Sequence, residues 1–246
     1  MRLRFLGHFG IFRSDSGEFL QLDFAARELT IKLVYYGPAL SGKTTNLQAL
    51  HQLVSHTGRG RLMTLDTRDD RTLFFDLLPL SFTAGSGLTV RLKLFTVPGQ
   101  VIHNATRRLV LSGADGVAFI ADSQRSETKA NAAAFVNLKQ NLKENGLDSA
   151  KIPLLIQFNK RDLPDIRPDD EIDQLAQRGK EPVFKAVATR GVGVAETFLG
   201  LVRGTWELLE REHQLKAKFH LDPEEVLATL VDKLGLKASK LDEVVR

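Results

Sequence analysis

The segment Gly37-Pro38-Ala39-Leu40-Ser41-Gly42-Lys43-Thr44 constrains this chain more than any other. It fits the pattern G-x-x-x-x-G-K-[ST], which cradles phosphate when it joins a strand to a helix. The flanks predict that context. Ile31 to Tyr36 is an apolar run suited to a strand, and Thr44 to Leu53 has helical character. The glycines let the backbone curl until several N–H groups face one phosphate, and the helix N-terminus adds its positive end. Ala39, Leu40, Ser41 and Thr45 complete the cradle around Gly37 and Gly42. Lys43 would reach the β- and γ-phosphates, and the Thr44 hydroxyl would meet Mg²⁺. A glycine turn followed by a chance Lys-Thr is the plainer reading, and the motifs farther along the chain argue against it.

Composition narrows the class. With 246 residues, 43% hydrophobic and 26% charged, the chain can bury a sizeable core as one large domain with appendages. It has no cysteine, which excludes disulfides, thiolate metal sites, thiol catalysis and lipid attachment through sulfur. Residue 2 is Arg, which argues against N-myristoylation. No stretch is long enough to span a bilayer as a helix, and the basic, apolar opening lacks the cleavage site of a signal peptide. A cytoplasmic protein is expected. The net charge of +4 comes from scattered residues, with no basic stripe or readout motif, so nucleic acid is not an expected partner.

Strand-like and helix-like segments alternate. Glu18 to Leu22 and Glu28 to Tyr36 read as a hairpin feeding the phosphate loop. His56 to Asp70 is polar and reads as a mobile loop. Leu73 to Leu80 is apolar and Phe-rich. After Gly85-Ser86-Gly87, apolar residues alternate from Leu88 to Val97, which predicts a half-buried strand and an antiparallel hairpin. Gly116 to Ala121 and Ile152 to Phe158 suit buried parallel strands. Helical spacing runs from Glu127 to Glu144 and from Val194 to Glu212, and Val183 to Val187 is a further strand candidate. The pattern predicts an α/β fold with a mostly parallel central sheet, an antiparallel hairpin and helices on both faces. Ligand sites in such sheets lie at the carboxyl ends of the strands.

Two more motifs fall at such ends, and a third lies between the mobile loop and the Phe-rich strand. Asn159-Lys160-Arg161-Asp162 follows a strand. A carboxylate at Asp162 can accept from guanine N1–H and N2–H₂, whereas adenine would leave it unsatisfied, a mismatch of about 1–3 kcal/mol. The Lys160 stem can lie flat on the base, and Asn159 can tie the loop to its neighbours. Thr96-Val97-Pro98-Gly99-Gln100 closes another strand. Gly99 would offer its N–H to a γ-phosphate and Gln100 would orient the attacking water. By itself this is an ordinary Pro-Gly turn, and its position raises the functional reading. At Arg71-Thr72 the threonine can close over Mg²⁺ and γ-phosphate, an order–disorder switch. A solvated loop arginine is the bland alternative for Arg71.

Together these stretches resemble the P-loop NTPases of the Ras-like type, and more closely the bacterial gliding-motility GTPases of the MglA type. The resemblance rests on Val34 to Pro38, Ser41 to Gln48, Asp70 to Asp76, Thr96 to Gln100 and Gln157 to Pro164, and covers roughly residues 18–212. It implies a Ras-like G domain there, with an N-terminal extension over 1–17 and a C-terminal helical extension over 213–246. It also implies GTP/GDP and Mg²⁺ as ligands and a GTP-driven switch that sets cell polarity and drives motility machinery at a pole. A Roadblock/LC7-type, MglB-like activating protein and polar effectors are the implied partners. By the same resemblance Arg71 is an intrinsic arginine finger, Thr72 the switch threonine, and Gln100 the third catalytic residue. Val187 and Ala188 line the base, with the Ala188 N–H on guanine O6. Thr96 stands where Ras-type D-x-x-G has Asp, which implies that Mg²⁺ is held mainly through Thr44 and Thr72.

Ala39 departs from the subfamily, which usually has glycine there. Its methyl is expected to crowd Gln100 and the arginine, slowing hydrolysis while leaving binding intact. The ends are also distinctive. Asp222-Pro223-Glu224-Glu225 is a strong helix start, with Val226, Leu227, Leu230, Val231 and Leu234 at helical spacing and Gly235 as a stop. That helix either packs on the body or docks a partner. Leu3, Phe5, Leu6, Phe9, Ile11 and Phe12, with Arg2, Arg4 and Arg13, read as an extra strand, a disordered tail or a weak membrane-surface segment. A hydrolysing switch, a non-hydrolysing GTP-binding scaffold and an ATP-dependent transferase are the three functions weighed. The Asn159–Asp162 motif disfavours the last.

Overall fold

The computed structural model describes residues 5–6, 9–13, 19–23, 25–54, 59–65, 75–100 and 103–237, with backbone alone over 5–20 and at 65. The strands are β1 (Phe5–Leu6), β2 (Phe9–Arg13), β3 (Phe19–Asp23), β4 (Glu28–Tyr36), β5 (Met63–Leu65), β6 (Phe75–Thr83), β7 (Thr89–Thr96), β8 (Gly116–Asp122), β9 (Leu154–Asn159) and β10 (Val183–Lys185). The helices are α1 (Lys43–Leu53), α2 (Asn104–Leu111), α3 (Thr128–Glu144), α4 (Asp169–Arg178), α5 (Val194–His213), α6 (Leu215–Phe219) and α7 (Pro223–Lys233).

All ten strands belong to one sheet. Its centre is parallel. β7 lies along one edge of β4 from Glu28 to Tyr35, while β8 pairs with Leu33–Tyr36, then β9 and β10 follow in parallel. β6 is antiparallel to β7 and β5 to β6. The free edge of β4 is shared. Its first residues, Glu28–Thr30, pair with β3, and its last with β8. Lys32 sits at the gap between the two, and Asp115 fills it: the Lys32 N–H donates to Asp115 Oδ2 at 2.7 Å and the Asp115 N–H to the Lys32 carbonyl at 2.8 Å. The expected hairpin into the phosphate loop is therefore β3–β4, and β2 and β1 continue it as an antiparallel meander. Of the three readings for the N-terminus, the described backbone takes the extra strands. The side chains invoked for membrane contact lie outside the described residues.

Alternation along β4 builds two cores. Leu29, Ile31, Leu33 and Tyr35 face one layer, with α1, α5 and α7, and Val34 and Tyr36 face the other, with α2, α3 and α4. β8 is buried throughout, as a central parallel strand covered on both sides must be. Phe198, Leu199, Val202, Trp206 and Leu209 form the inward face of α5, as their spacing predicts.

One expectation needs revision. The polar stretch His56 to Asp70 is not all loop, because Met63–Leu65 pairs antiparallel with Phe75–Leu77. A mean pattern of polar residues hid a short edge strand whose pairing is decided by its neighbour. At the other end, α7 starts as expected: Asp222 Oδ1 accepts the Glu224 N–H at 3.0 Å and Pro223 occupies the first turn. Val226, Leu227, Leu230, Val231 and Leu234 are buried in the same cluster as Leu29 and Trp206, so packing on the body, not an open docking face, is what the helix does.

This integration is testable. Leu230→Ala should cost about 2–4 kcal/mol. Because Leu230 and Trp206, the one tryptophan, share a buried cluster, fluorescence and far-UV circular dichroism should report one coincident transition at a lower denaturant midpoint. Separate transitions would show that α7 unfolds on its own.

Candidate functional site

Parallel pairing brings the ends of β4, β7, β8 and β9 to one rim of the sheet, and the sequence motifs fall on that rim. A cleft of about 540 Å³ opens there, lined by Ala39, Leu40, Gly42 to Thr45, Thr64, Phe75, Asp76 and Thr96 to Gln100. That volume lies within the ~300–1,000 Å³ usual for small-molecule sites.

The phosphate loop is held by geometry that only glycine fits. Gly37 has φ +150° and a Cβ there would sit 2.2 Å from the Ile120 carbonyl oxygen. Gly42 has φ +95° and a Cβ would meet Asn159 Nδ2 at 2.2 Å. α1 begins at Lys43 with no side chain capping its first N–H groups, so those donors are left for a ligand. Lys43 is buried, its ammonium donating to the Gly37 and Pro38 carbonyls at 3.2 and 2.6 Å. Among the described residues it forms no ion pair. Burial, and secondarily the nearby Arg107, push its pKa down to about 7 against a smaller opposing pull from Asp76. A buried amine with carbonyl partners only is a site that fits a polyanion.

The sequence motifs do not single out Asp76. It is a buried carboxylate that accepts the hydroxyls of Thr44 at 2.6 Å and Thr96 at 2.9 Å on Oδ2, and that of Thr64 at 2.8 Å on Oδ1. Its own N–H donates to Thr96 Oγ1. By spending its proton on Asp76, the Thr44 hydroxyl leaves its lone pairs for a cation. The residues present therefore fit Mg²⁺, with Thr44 and the Asp76 carboxylate as the groups that could hold or orient it. The acid lies twenty residues upstream of Thr96, where a Ras-type pattern places it, and only the β6–β7 pairing brings it across. An acid inside the apolar run Phe74-Phe75-Asp76-Leu77-Leu78 was the available signal. Arg71 and Thr72 lie outside the described residues.

On the base side Asn159 is the hub. Its Nδ2 donates to the Ser41 carbonyl at 2.9 Å and its Oδ1 accepts the Ala188 N–H at 3.0 Å. That ties the phosphate loop, the end of β9 and the turn after β10 into one unit, as the sequence anticipated for this residue. The Ala188 N–H, expected on guanine O6, is thus engaged by Asn159, and a base would share or displace that bond. Lys160, with φ +65°, extends its amine to Asp122 Oδ2 at 2.6 Å, which anchors the far end of the stem. Asp162 lies 3.9 Å from the exposed Arg190 guanidinium. Val187 precedes Ala188 in the same turn. Gly99 presses on the phosphate loop so closely that a Cβ would sit 2.3 Å from Ala39 Cα and 3.0 Å from the Ala39 methyl. Gln100 is exposed at the cleft mouth.

The Lys43 environment sets a pH dependence. Folded, the amine loses its proton near pH 7, and unfolded near 10.5. Between those values the unfolded chain binds more protons, so stability rises with pH. Lys43→Met should flatten that slope, reducing the stability difference between about pH 7 and about pH 9 by an amount on the order of 1 kcal/mol or more. Parallel slopes in denaturant titrations of both proteins would show that the amine is not strained in the fold.

No family model matches the chain. Among known proteins, the mutual gliding-motility protein MglA of Myxococcus xanthus is 46% identical to it over 182 residues, 74% of this chain and 93% of that protein. A match of that identity and extent, on a sheet whose rim carries the phosphate loop, Asn159-Lys160-Arg161-Asp162 and the Thr96–Gln100 turn, establishes that the chain belongs to the MglA family of Ras-like small GTPases.

Proposed function

We propose that this protein is a GTP-driven switch that binds GTP with Mg²⁺, hydrolyses it slowly to GDP and phosphate, and through the resulting change of shape regulates cell polarity or motility machinery. The observation that carries the reading is the Asn159 side chain, bonded at once to the phosphate loop and to the base-side turn. It sets the two halves of a nucleotide site at a fixed separation.

In this reading the loop N–H groups and Lys43 hold the β- and γ-phosphates, and Asp162 reads the guanine edge. Thr44 and Asp76 hold the cation side, with Thr72 closing over it from the switch segment. Mg²⁺ would neutralise charge between the β- and γ-oxygens. Gln100 orients a water for in-line attack on the γ-phosphorus. The bond to the β–γ bridging oxygen then breaks, charge gathers on the β-phosphate of GDP, where Lys43 lies, and the water's proton leaves with the released phosphate. Gly99 N–H senses the γ-phosphate, and Arg71 supplies the finger. The name of the Myxococcus relative supports gliding motility as the process served. A Roadblock/LC7-type activating protein, polar effectors and a cytoplasmic, pole-associated location follow from the same reading. Among the described residues no helix is long and apolar enough to cross a membrane.

One observation favours a second reading, a GTP-binding scaffold that does not turn over. The Ala39 methyl occupies the crowded approach to Gly99, where the γ-phosphate and an arginine would have to close.

Single-turnover GTP hydrolysis with Mg²⁺ separates the two. Ala39→Gly should accelerate turnover about tenfold or more, a lowered barrier of ~1.4 kcal/mol. Equal, measurable rates would make Ala39 a tolerated variation on an ordinary switch. No turnover in either protein would leave the scaffold. Asp76→Asn should raise the Mg²⁺ concentration needed to retain GDP by roughly tenfold, about 1.4 kcal/mol, with little change in metal-free GDP binding. An unchanged Mg²⁺ requirement would remove Asp76 from the cation site.

A further inference from the structure

Arg107, on α2, is fully buried. Nothing in the sequence motifs points to it, and the nucleotide chemistry above does not use it. Its Nε donates to the Pro98 carbonyl at 2.8 Å, its Nη2 to the Gly99 carbonyl, and its Nη1 to Asn137 Oδ1 at 2.7 Å. The guanidinium lies over the Tyr36 ring, 5.3 Å from the centroid. Among the described residues no carboxylate pairs with it. A buried cation without a counter-charge is costly, so carbonyl dipoles and an aromatic face must hold it where its charge serves something else.

We propose that Arg107 is the positioning residue that makes the Pro98–Gly99–Gln100 turn a sensor of the third phosphate. This role rests on the GTP-switch reading above. In a trans peptide the C=O and N–H point in opposite directions, and no peptide bond among the described residues is cis. Clamping the Pro98 carbonyl against Arg107 turns the Gly99 N–H away from it, and clamping the Gly99 carbonyl does the same for the Gln100 N–H. The side opposite Arg107 is the cleft, where Gly99 meets the Ala39 backbone and Gln100 lines the mouth. Two adjacent donors are thus held out toward the place a γ-phosphate would occupy, before any nucleotide arrives. Their preorganisation is what an anion-binding pair of amides requires. The fork geometry of arginine is needed, because a lysine amine cannot grip both carbonyls and Asn137 in one plane.

The network behind Arg107 keeps the fork in place. Asn137 Oδ1 also accepts the Tyr36 hydroxyl, and Asn137 Nδ2 donates to Asn104 Oδ1 at 2.9 Å. Asn141 Nδ2 donates to the Tyr36 oxygen and to Asn104 Oδ1, at 3.0 and 2.8 Å. Tyr36 ends β4 immediately before the phosphate loop. The same cluster therefore anchors the turn that would sense the γ-phosphate and the strand that delivers the β-phosphate cradle.

The test is the ratio of affinities for a non-hydrolysable GTP analogue and for GDP, measured with Mg²⁺ on the full chain. Arg107→Lys keeps the charge and loses the fork. It should leave GDP affinity within about twofold and weaken the analogue about tenfold, ~1.4 kcal/mol in the ratio. Amide hydrogen exchange at Gly99 and Gln100 should quicken in the same variant. Asn137→Ala frees one arm of the guanidinium from a half-buried position, and should shift the ratio in the same direction by a smaller factor, which keeps the test open if Arg107→Lys does not fold. A ratio unchanged in both variants, or equal loss for the two nucleotides, overturns the proposal while leaving guanine-nucleotide binding by the wild type intact. Failure of the wild type to bind GDP or the analogue would overturn the switch reading, and this proposal with it.

Discussion

The parallel pairing of β4 with β7 and with β8 is the constraint on which the rest depends. Once those strands run the same way, the loops that leave them meet at one rim, and residues as far apart as Ser41 and Asn159 come within 2.9 Å. The pairing also explains why β4 tolerates two neighbours on one edge. Its final residues must lie beside β8 to deliver the phosphate loop, and its opening residues are free to take the N-terminal meander. The joint at Lys32 is closed by Asp115, so no backbone donor is left bare where the partners change.

Charge burial around the loop follows from that geometry. Lys43, Arg107 and Asp76 all lie inside the protein, and each is held by dipoles or hydroxyls, with no ion pair formed among the described residues. Such an arrangement works against stability in the free protein. A polyanion beside Lys43 and a cation beside Asp76 would offset that cost. A site that is strained when empty and relieved when filled would be a physical basis for coupling a ligand to shape. Ala39 and Gly99, pressed together at the cleft, mark where such coupling would act.

The ends of the chain illustrate the limits of pattern reading. The helix start at Asp222-Pro223 was legible because capping is local: a short side chain accepts an N–H two residues on, and proline suits the first turn. Where the helix goes was not legible. An amphipathic stripe states that one face seeks apolar surface, and only the fold shows that the surface is α5 and the layer beneath β4. The short strand β5 was hidden for the same reason, since a three-residue edge strand is specified by what it pairs with.

By itself the sequence determined the local chemistry of this protein. The phosphate loop, the Asn159–Asp162 motif, the alternation of β7 and the helix periods of α3 and α5 are short-range patterns, readable because backbone conformation and side-chain period are set within a few residues. The tertiary structure decided what lies across from what. It put Asp76 of β6 against Thr44 and Thr96, held the Ala188 N–H on Asn159, tethered Lys160 to Asp122, and set a buried Arg107 behind the Gly99 turn. None of these pairs is encoded by spacing along the chain, because each joins elements whose separation in sequence bears no relation to their register in the sheet.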